Sequence, residues 1–310
     1  MRLAAPFVLL FVVLLAIIPT SGFYDLYLLP WQTRLIFLEH PDFWRALDGN
    51  PSVFLPGTMF SALPYGPLFY YPLGAWVWVM DLTRVIDMHA WSDFHLAEGS
   101  PRYAAALKFP NLVVYVAAGV VLLRCLPGEA GVSAMLLWLL NPAVILVSFV
   151  MGQNDAWSML AVLAALLLAT RWLRGEREVR LGGRALPADA LAMVALGAGA
   201  AVKLHPLLLV VPFALALAPT GVAWLRLVAI AVVTFAVLIS PFLWDPLFRH
   251  HALFNPQAQD ILRYKAGHLS LFYPAYGAAA LIPLAMPERP YRALLASIVG
   301  VHLIVFALTG

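Results

Sequence analysis

The sequence predicts an all-α polytopic membrane protein with about nine membrane-spanning helices and a long first extracytoplasmic loop carrying membrane-surface helices. Composition gives the first indication: 63% of the 310 residues are hydrophobic and only 11% charged, against roughly 45–50% and about 25% in soluble domains. Mean hydropathy is +0.87, so a polar shell for water is missing and lipid must take its place. Apolar runs of near-spanning length recur along the whole chain. Finally, the cationic residues gather in short connections between those runs, as orientation in a bilayer requires.

The candidate runs are 4–20, 65–80, 103–123, 132–150, 156–173, 186–202, 205–218, 225–243, 269–286 and 291–308. The heaviest cationic cluster, Arg171, Arg174, Arg177, Arg180 and Arg184, lies in one short connection and is placed on the cytoplasmic side. Counting outward from it puts the 151–155 turn outside, Arg124 inside and the start of 103–123 outside. Met1 and Arg2 also belong inside, which is consistent only if 65–80 does not cross. That segment, "LPYGPLFYYPLGAWVWVMD", carries Pro64, Pro67 and Pro72 among many aromatics. Proline removes backbone donors and frees carbonyls that lipid cannot satisfy, and aromatics favour the headgroup zone. Counting forward places Lys203 outside, Arg226 inside, 244–268 outside, and Arg289 with Arg292 inside. Run 205–218 is short for a span. The expected layout is one transmembrane domain, 1–310, with outer loops at 21–102 and 244–268. Within the first loop, "WQTRLIFLEHPDFWRALDG" mixes aromatic and charged positions at helical spacing, predicting a helix on the membrane surface.

Several classes fall away. The net charge of +3 and pI near 9.1 come without a basic face interleaved with aromatics, so nucleic acid is not implied. The single Cys125 excludes an intramolecular disulfide and a multi-cysteine metal site. The first run lacks a small-residue cleavage pattern after Pro19 and reads as a retained helix. There is no phosphate-cradling glycine loop, nucleophile elbow or dinucleotide fingerprint. An enzyme of this composition needs a substrate that is itself embedded in lipid.

Three ionisable positions stand out. Asp25, in "SGFYDLY" just beyond the first helix, is either a solvated boundary carboxylate or a general base at the interface. Asp155 closes the turn Gly152, Gln153, Asn154, Asp155 between two apolar helices. It is a helix cap or, because capping needs only one small polar residue, part of a site at membrane depth. Lys203, in "GAGAAVKLHPLLLVVPF", is a snorkelling lysine or a ligand for a lipid phosphate, with His205 beside it. The second outer loop adds Asp245, Arg249, His250, His251, Arg263, Lys265 and His268, a basic surface suited to an anionic headgroup. His250 and His251 would point apart on a helix, and no metal-ligand spacing accompanies them. No metal or cofactor is expected.

The order of these motifs resembles the GT-C superfamily of integral membrane glycosyltransferases: an Asp after the first helix, a long outer loop with "YGPLFYYPL", "LNP" before "GQNDAWSML", then "VKLHPLLLVVP". The likeness covers residues 1–215. It implies transfer of a hexose, mannose foremost, from a polyprenyl-phosphate donor to an acceptor hydroxyl outside the cytoplasm, with inversion. It implies Asp25 and Asp155 as catalytic acids and Lys203 as a ligand of the lipid phosphate. His205, with Arg263 and Lys265 of the basic second outer loop, is expected to join Lys203 on the phosphate, and Tyr27, Tyr65, Gln153, Asn154, His250 and His251 to contact the substrate. Phe23 and Tyr24 precede Asp25 where relatives carry a neighbouring acid, and Gln153-Asn154-Asp155 replaces Asp-x-Asp. The Ala/Leu/Arg-rich composition suggests a high-GC bacterium, and the expected location is its inner membrane. Asp25, Asp155 and Lys203 are expected to converge on one headgroup-level pocket facing the periplasm. The alternative is a secondary transporter or lipid-linked sugar flippase, for which the sequence shows no paired repeat.

Overall fold

A computed structural model describes residues 8, 10, 12–14, 16–18, 24–48, 65–90, 100–150, 154–254, 262, 265–266 and 269–309. Of these residues 77% are helical and 4% lie in strands. Among the described residues three helices, Pro101–Cys125, Asp155–Leu173 and Ala223–Phe242, are long and apolar enough to cross a membrane. The protein is therefore a mostly helical membrane protein. Its contacts group into two compact units, residues 1–54 with 67–163, and residues 55–66 with 164–310.

In the first unit the predicted surface helix is three short ones: α1 (Tyr24–Thr33), α2 (Leu35–Leu38) and α3 (Phe43–Asp48). The break before α3 has a local cause, since Asp42 Oδ1 accepts the Trp44 N–H at 3.2 Å and His40 Nδ1 accepts the Asp42 N–H at 3.0 Å. Phe43, Trp44 and Leu47 are fully buried. Phe43 stacks on Tyr70 of α4 (Pro67–Leu82) with ring centroids 4.2 Å apart, and Trp44 meets the same ring edge-on. Phe43 and Trp44 thus pack inward against α4.

Helix α5 (Pro101–Cys125) starts where Ser100 accepts the Tyr103 N–H and Pro101 fits the first turn, where no backbone donor is needed. The predicted run 132–150 is two pieces, α6 (Gly128–Leu139) and α7 (Pro142–Ile145), the latter continued by a π-turn at Leu146–Val150. They meet at 46°. Asn141 accepts the Ala143 N–H and Pro142 takes the new first turn, so the chain restarts a helix there instead of continuing one. Trp138 Nε1 donates to the Tyr115 carbonyl at 2.9 Å, tying α6 to α5.

Helix α8 (Asp155–Leu173) leads into the second unit, where the arginine-rich connection forms a hairpin, β1 (Glu178–Leu181) with β2 (Arg184–Pro187). Gly182 and Gly183 turn it with φ of +54° and +82°, the paired left-handed conformation that twists with the strands. Then follow α9 (Ala188–Ala200), a 3₁₀ turn (His205–Leu209), α10 (Val210–Leu217) and α11 (Ala223–Ile239). At Gly197 the backbones of α9 and α11 approach closely: a Cβ there would lie 2.4 Å from the Ala231 carbonyl oxygen. Helix α12 (Pro246–Phe248) is capped by Asp245 and followed by a π-turn at Arg249–Leu253. The short ladder β3 (Lys265–Ala266) with β4 (Leu269–Ser270) precedes α13 (Phe272–Ala280), α14 (Ile282–Ala285) and α15 (Pro290–Thr309). The predicted run 269–286 is thus broken before Pro283, and 205–218 begins as a 3₁₀ turn at Pro206.

These helices sort the second unit's polar residues to two ends. Asp189, at the start of α9, pairs with Arg226, at the start of α11, at 2.8 Å. Trp172, at the end of α8, donates to the Leu217 carbonyl at the end of α10. Lys203 and His205 follow the far end of α9, a helix of 13 residues, or about 20 Å long at 1.5 Å per residue.

Candidate functional site

In the second unit the chain brings Tyr65 and Lys203 together across 137 intervening residues. Tyr65 is buried, and the Lys203 ammonium sits 5.3 Å from its ring centroid, over the negative face of the phenol. What allows this is Gly66. Its N–H donates to the Val202 carbonyl at 2.7 Å, and a Cβ at this position would lie only 2.2 Å from the Ala201 carbonyl oxygen. Any larger residue would lift Tyr65 off the turn. Lys203 also borders a cleft lined by Gly66, Ala200, Leu204, Phe235, Ile239 and Phe248. Its free space is about 10 Å³, the room of one water molecule, so a ligand entering this cleft must displace side chains.

The other basic candidates are arranged separately. His205 meets His302 of α15 edge-to-face, ring centroids 6.1 Å apart, and His302 Nδ1 lies 2.7 Å from the Ile298 carbonyl oxygen. The expectation that His250 and His251 point apart is corrected: the π-turn, with its extra residue per turn, sets their rings 4.8 Å apart and edge-to-face. His251 is buried while His250 is exposed. Burial, and then the neighbouring His250, hold the His251 imidazole below its ordinary pKa and favour the neutral ring. Lys265 is exposed on β3, its partner across the ladder being Ser270. Arg263, His268 and Gln153 lie outside the described residues.

In the first unit Asp25 and Tyr27 stand on α1, and their side chains lie outside the described part. Asn154 is buried and its carbonyl accepts the Trp157 N–H at 3.1 Å. Asp155 is half-buried in the first turn of α8, where the helix dipole favours a negative charge.

Two residues that hydropathy averaging conceals accompany them. Lys108, inside the apolar run of α5, is wholly buried and donates to the Ile17 carbonyl at 3.0 Å. One turn on, the buried Asn111 donates to the Ser148 carbonyl at 3.3 Å and accepts the Trp157 indole N–H at 2.8 Å. The signal was present in the sequence: an ionisable residue within a span marks function or structure by default.

No known family, curated protein or solved structure matches the chain. The chemistry must therefore be argued from the residues. Among the described residues no group of three or more His, Cys, Asp or Glu is placed to hold a metal ion. A lysine braced on an aromatic ring beside apolar side chains can bind a phosphate carried on a hydrocarbon chain. A half-buried carboxylate at a helix start can accept a proton or orient a hydroxyl.

Proposed function

We propose that the chain is a GT-C-like hexosyltransferase of a bacterial inner membrane, moving a hexose, mannose foremost, from polyprenyl phosphate to an acceptor hydroxyl. The observation supporting it is the Lys203 ammonium held over Tyr65 beside an apolar cleft. In this reading the chain crosses the membrane nine times and Lys203 faces the periplasm. Asp25 takes the proton from the acceptor hydroxyl, whose oxygen forms a bond to the anomeric carbon. The bond from that carbon to the phosphate oxygen breaks, and the configuration inverts. Lys203, with His205, Arg263 and Lys265, stabilises the charge that develops on the departing polyprenyl phosphate. Asp155 orients the sugar together with Tyr27, Tyr65, Gln153, Asn154, His250 and His251. No step calls for a metal.

The test is radiolabelled polyprenyl-phosphate hexose in liposomes holding the purified chain. Wild-type protein is expected to cleave the sugar–phosphate bond. Lys203→Met should slow cleavage by about 10²–10³, the usual effect of losing one charge-stabilising donor. Asp25→Asn should abolish transfer while the protein still inserts. Label that crosses the bilayer uncleaved would instead support the transporter or flippase reading.

A further inference from the structure

The second unit has a roomier cavity at the opposite end from Lys203. It encloses about 560 Å³ and is lined by Thr170, Leu173, Arg174, Arg289, Tyr291 and Arg292, with Pro290. Three guanidinium groups from two distant parts of the chain thus border one concavity. Arg174 follows the end of α8, and Arg289 and Arg292 flank the first turn of α15. That 20-residue helix begins at the cavity, adding the partial positive charge of its unpaired N–H groups. Of the acids near these arginines in sequence, Glu176 is engaged at 2.8 Å by Arg171, which does not line the cavity, and Glu178 and Glu288 are exposed.

Orientation alone would explain arginines scattered over short loops, but it does not require them to share a cavity. A second observation says what the ligand carries besides charge. From Arg292 the exposed positions of α15 run Ala296, Val299, Leu303 and Ala307. Steps of four, three, four and four keep them on one face of the helix. Val299 is 57% and Leu303 61% exposed. An uncovered apolar stripe therefore leads away from the guanidinium groups along the helix axis. Planar guanidiniums match the oxygens of a phosphate ester, and the stripe matches an acyl chain.

We propose that this cavity is a binding site for the phosphate headgroup of an anionic membrane lipid, whose hydrocarbon chain lies along the Ala296–Leu303 face of α15. The site is independent of the glycosyl-transfer reading.

The test uses the full chain in nanodiscs of phosphatidylcholine doped with phosphatidylglycerol, with retained lipid counted by native mass spectrometry after detergent extraction. Wild-type protein should hold phosphatidylglycerol at least tenfold over its share of the bilayer. The double variant Arg289→Gln/Arg292→Gln should lose that enrichment, and Arg289→Lys/Arg292→Lys should keep part of it. All four substitutions are at exposed positions, and Arg180→Gln/Arg184→Gln in the hairpin should leave retention unchanged. Equal retention of both lipids, or undiminished enrichment in the double Gln variant, overturns the proposal. So does inorganic phosphate stabilising the wild type against heat as well as the lipid does, since the site would then recognise the ion alone.

Discussion

Replacing Gly66 by alanine is the sharpest test of how the Lys203 site is built. The added Cβ would fall 2.2 Å from the Ala201 carbonyl oxygen and 2.9 Å from its carbon, where ordinary contact begins near 3.4 Å. Both neighbours are backbone, so no side chain can swing aside. The segment must move by about 1 Å, and the Gly66 N–H bond to Val202, now 2.7 Å, stretches with it. Overpacking of this kind costs about 1–3 kcal/mol, and loss of the hydrogen bond adds about 0.5–1.5 kcal/mol. Together roughly 2–4 kcal/mol is expected, a fall in melting temperature of about 5–15 °C for a unit of this size. Thermal unfolding of the detergent-solubilised protein, followed by intrinsic fluorescence, measures it. The same movement takes Tyr65 away from Lys203, so the binding of polyprenyl phosphate that we propose should weaken in parallel. A Gly66→Ala protein that melts with wild type would refute the close approach.

Two further outcomes follow from the packing. Asn111→Leu strands the Trp157 indole N–H and the Ser148 carbonyl; a loss of about 1–3 kcal/mol is expected, with a shift in the Trp157 emission, and a change too small to measure would contradict the bridge. His251 makes stability depend on pH. Its folded pKa is depressed, so as pH falls through the ordinary value of 6.5 the unfolded chain takes up a proton before the folded one does. Stability is therefore full above about pH 6.5 and declines as the solution is acidified below it, levelling off once the folded imidazole also protonates. His251→Gln should flatten that profile between pH 7 and 5; an unchanged acid limb would assign it to another group.

The parts of this architecture legible in the sequence are those that depend on composition and on neighbours in the chain. Helices α5, α8 and α11 follow from long apolar runs, because a lipid environment leaves a backbone little choice but helix. The helix starts at Ser100 and Asp245 follow from capping side chains within three residues of the amides they accept. The break at Asn141–Pro142 lies inside an unbroken apolar run, so hydropathy reads straight through it, although the "NP" pair is itself a turn signal. Lys108 disappears in the same averaging. The Gly182–Gly183 hairpin was legible in principle, but a run of arginines between spans reads first as a solvated connection.

By itself, then, the sequence determined that the chain is helical and belongs in a membrane, and that its cations gather where the apolar runs end. Each is a local property, carried by side chains whose transfer free energy does not depend on distant partners. Only the tertiary structure decided that Tyr65 braces Lys203, that Lys108 reaches Ile17, that the His250 and His251 rings touch, and that Arg174 shares a cavity with Arg289 and Arg292. These pairings rest on backbone approach and helix register, set by where small residues such as Gly66 and Gly197 let one segment lie against another, and spacing along the chain does not encode them.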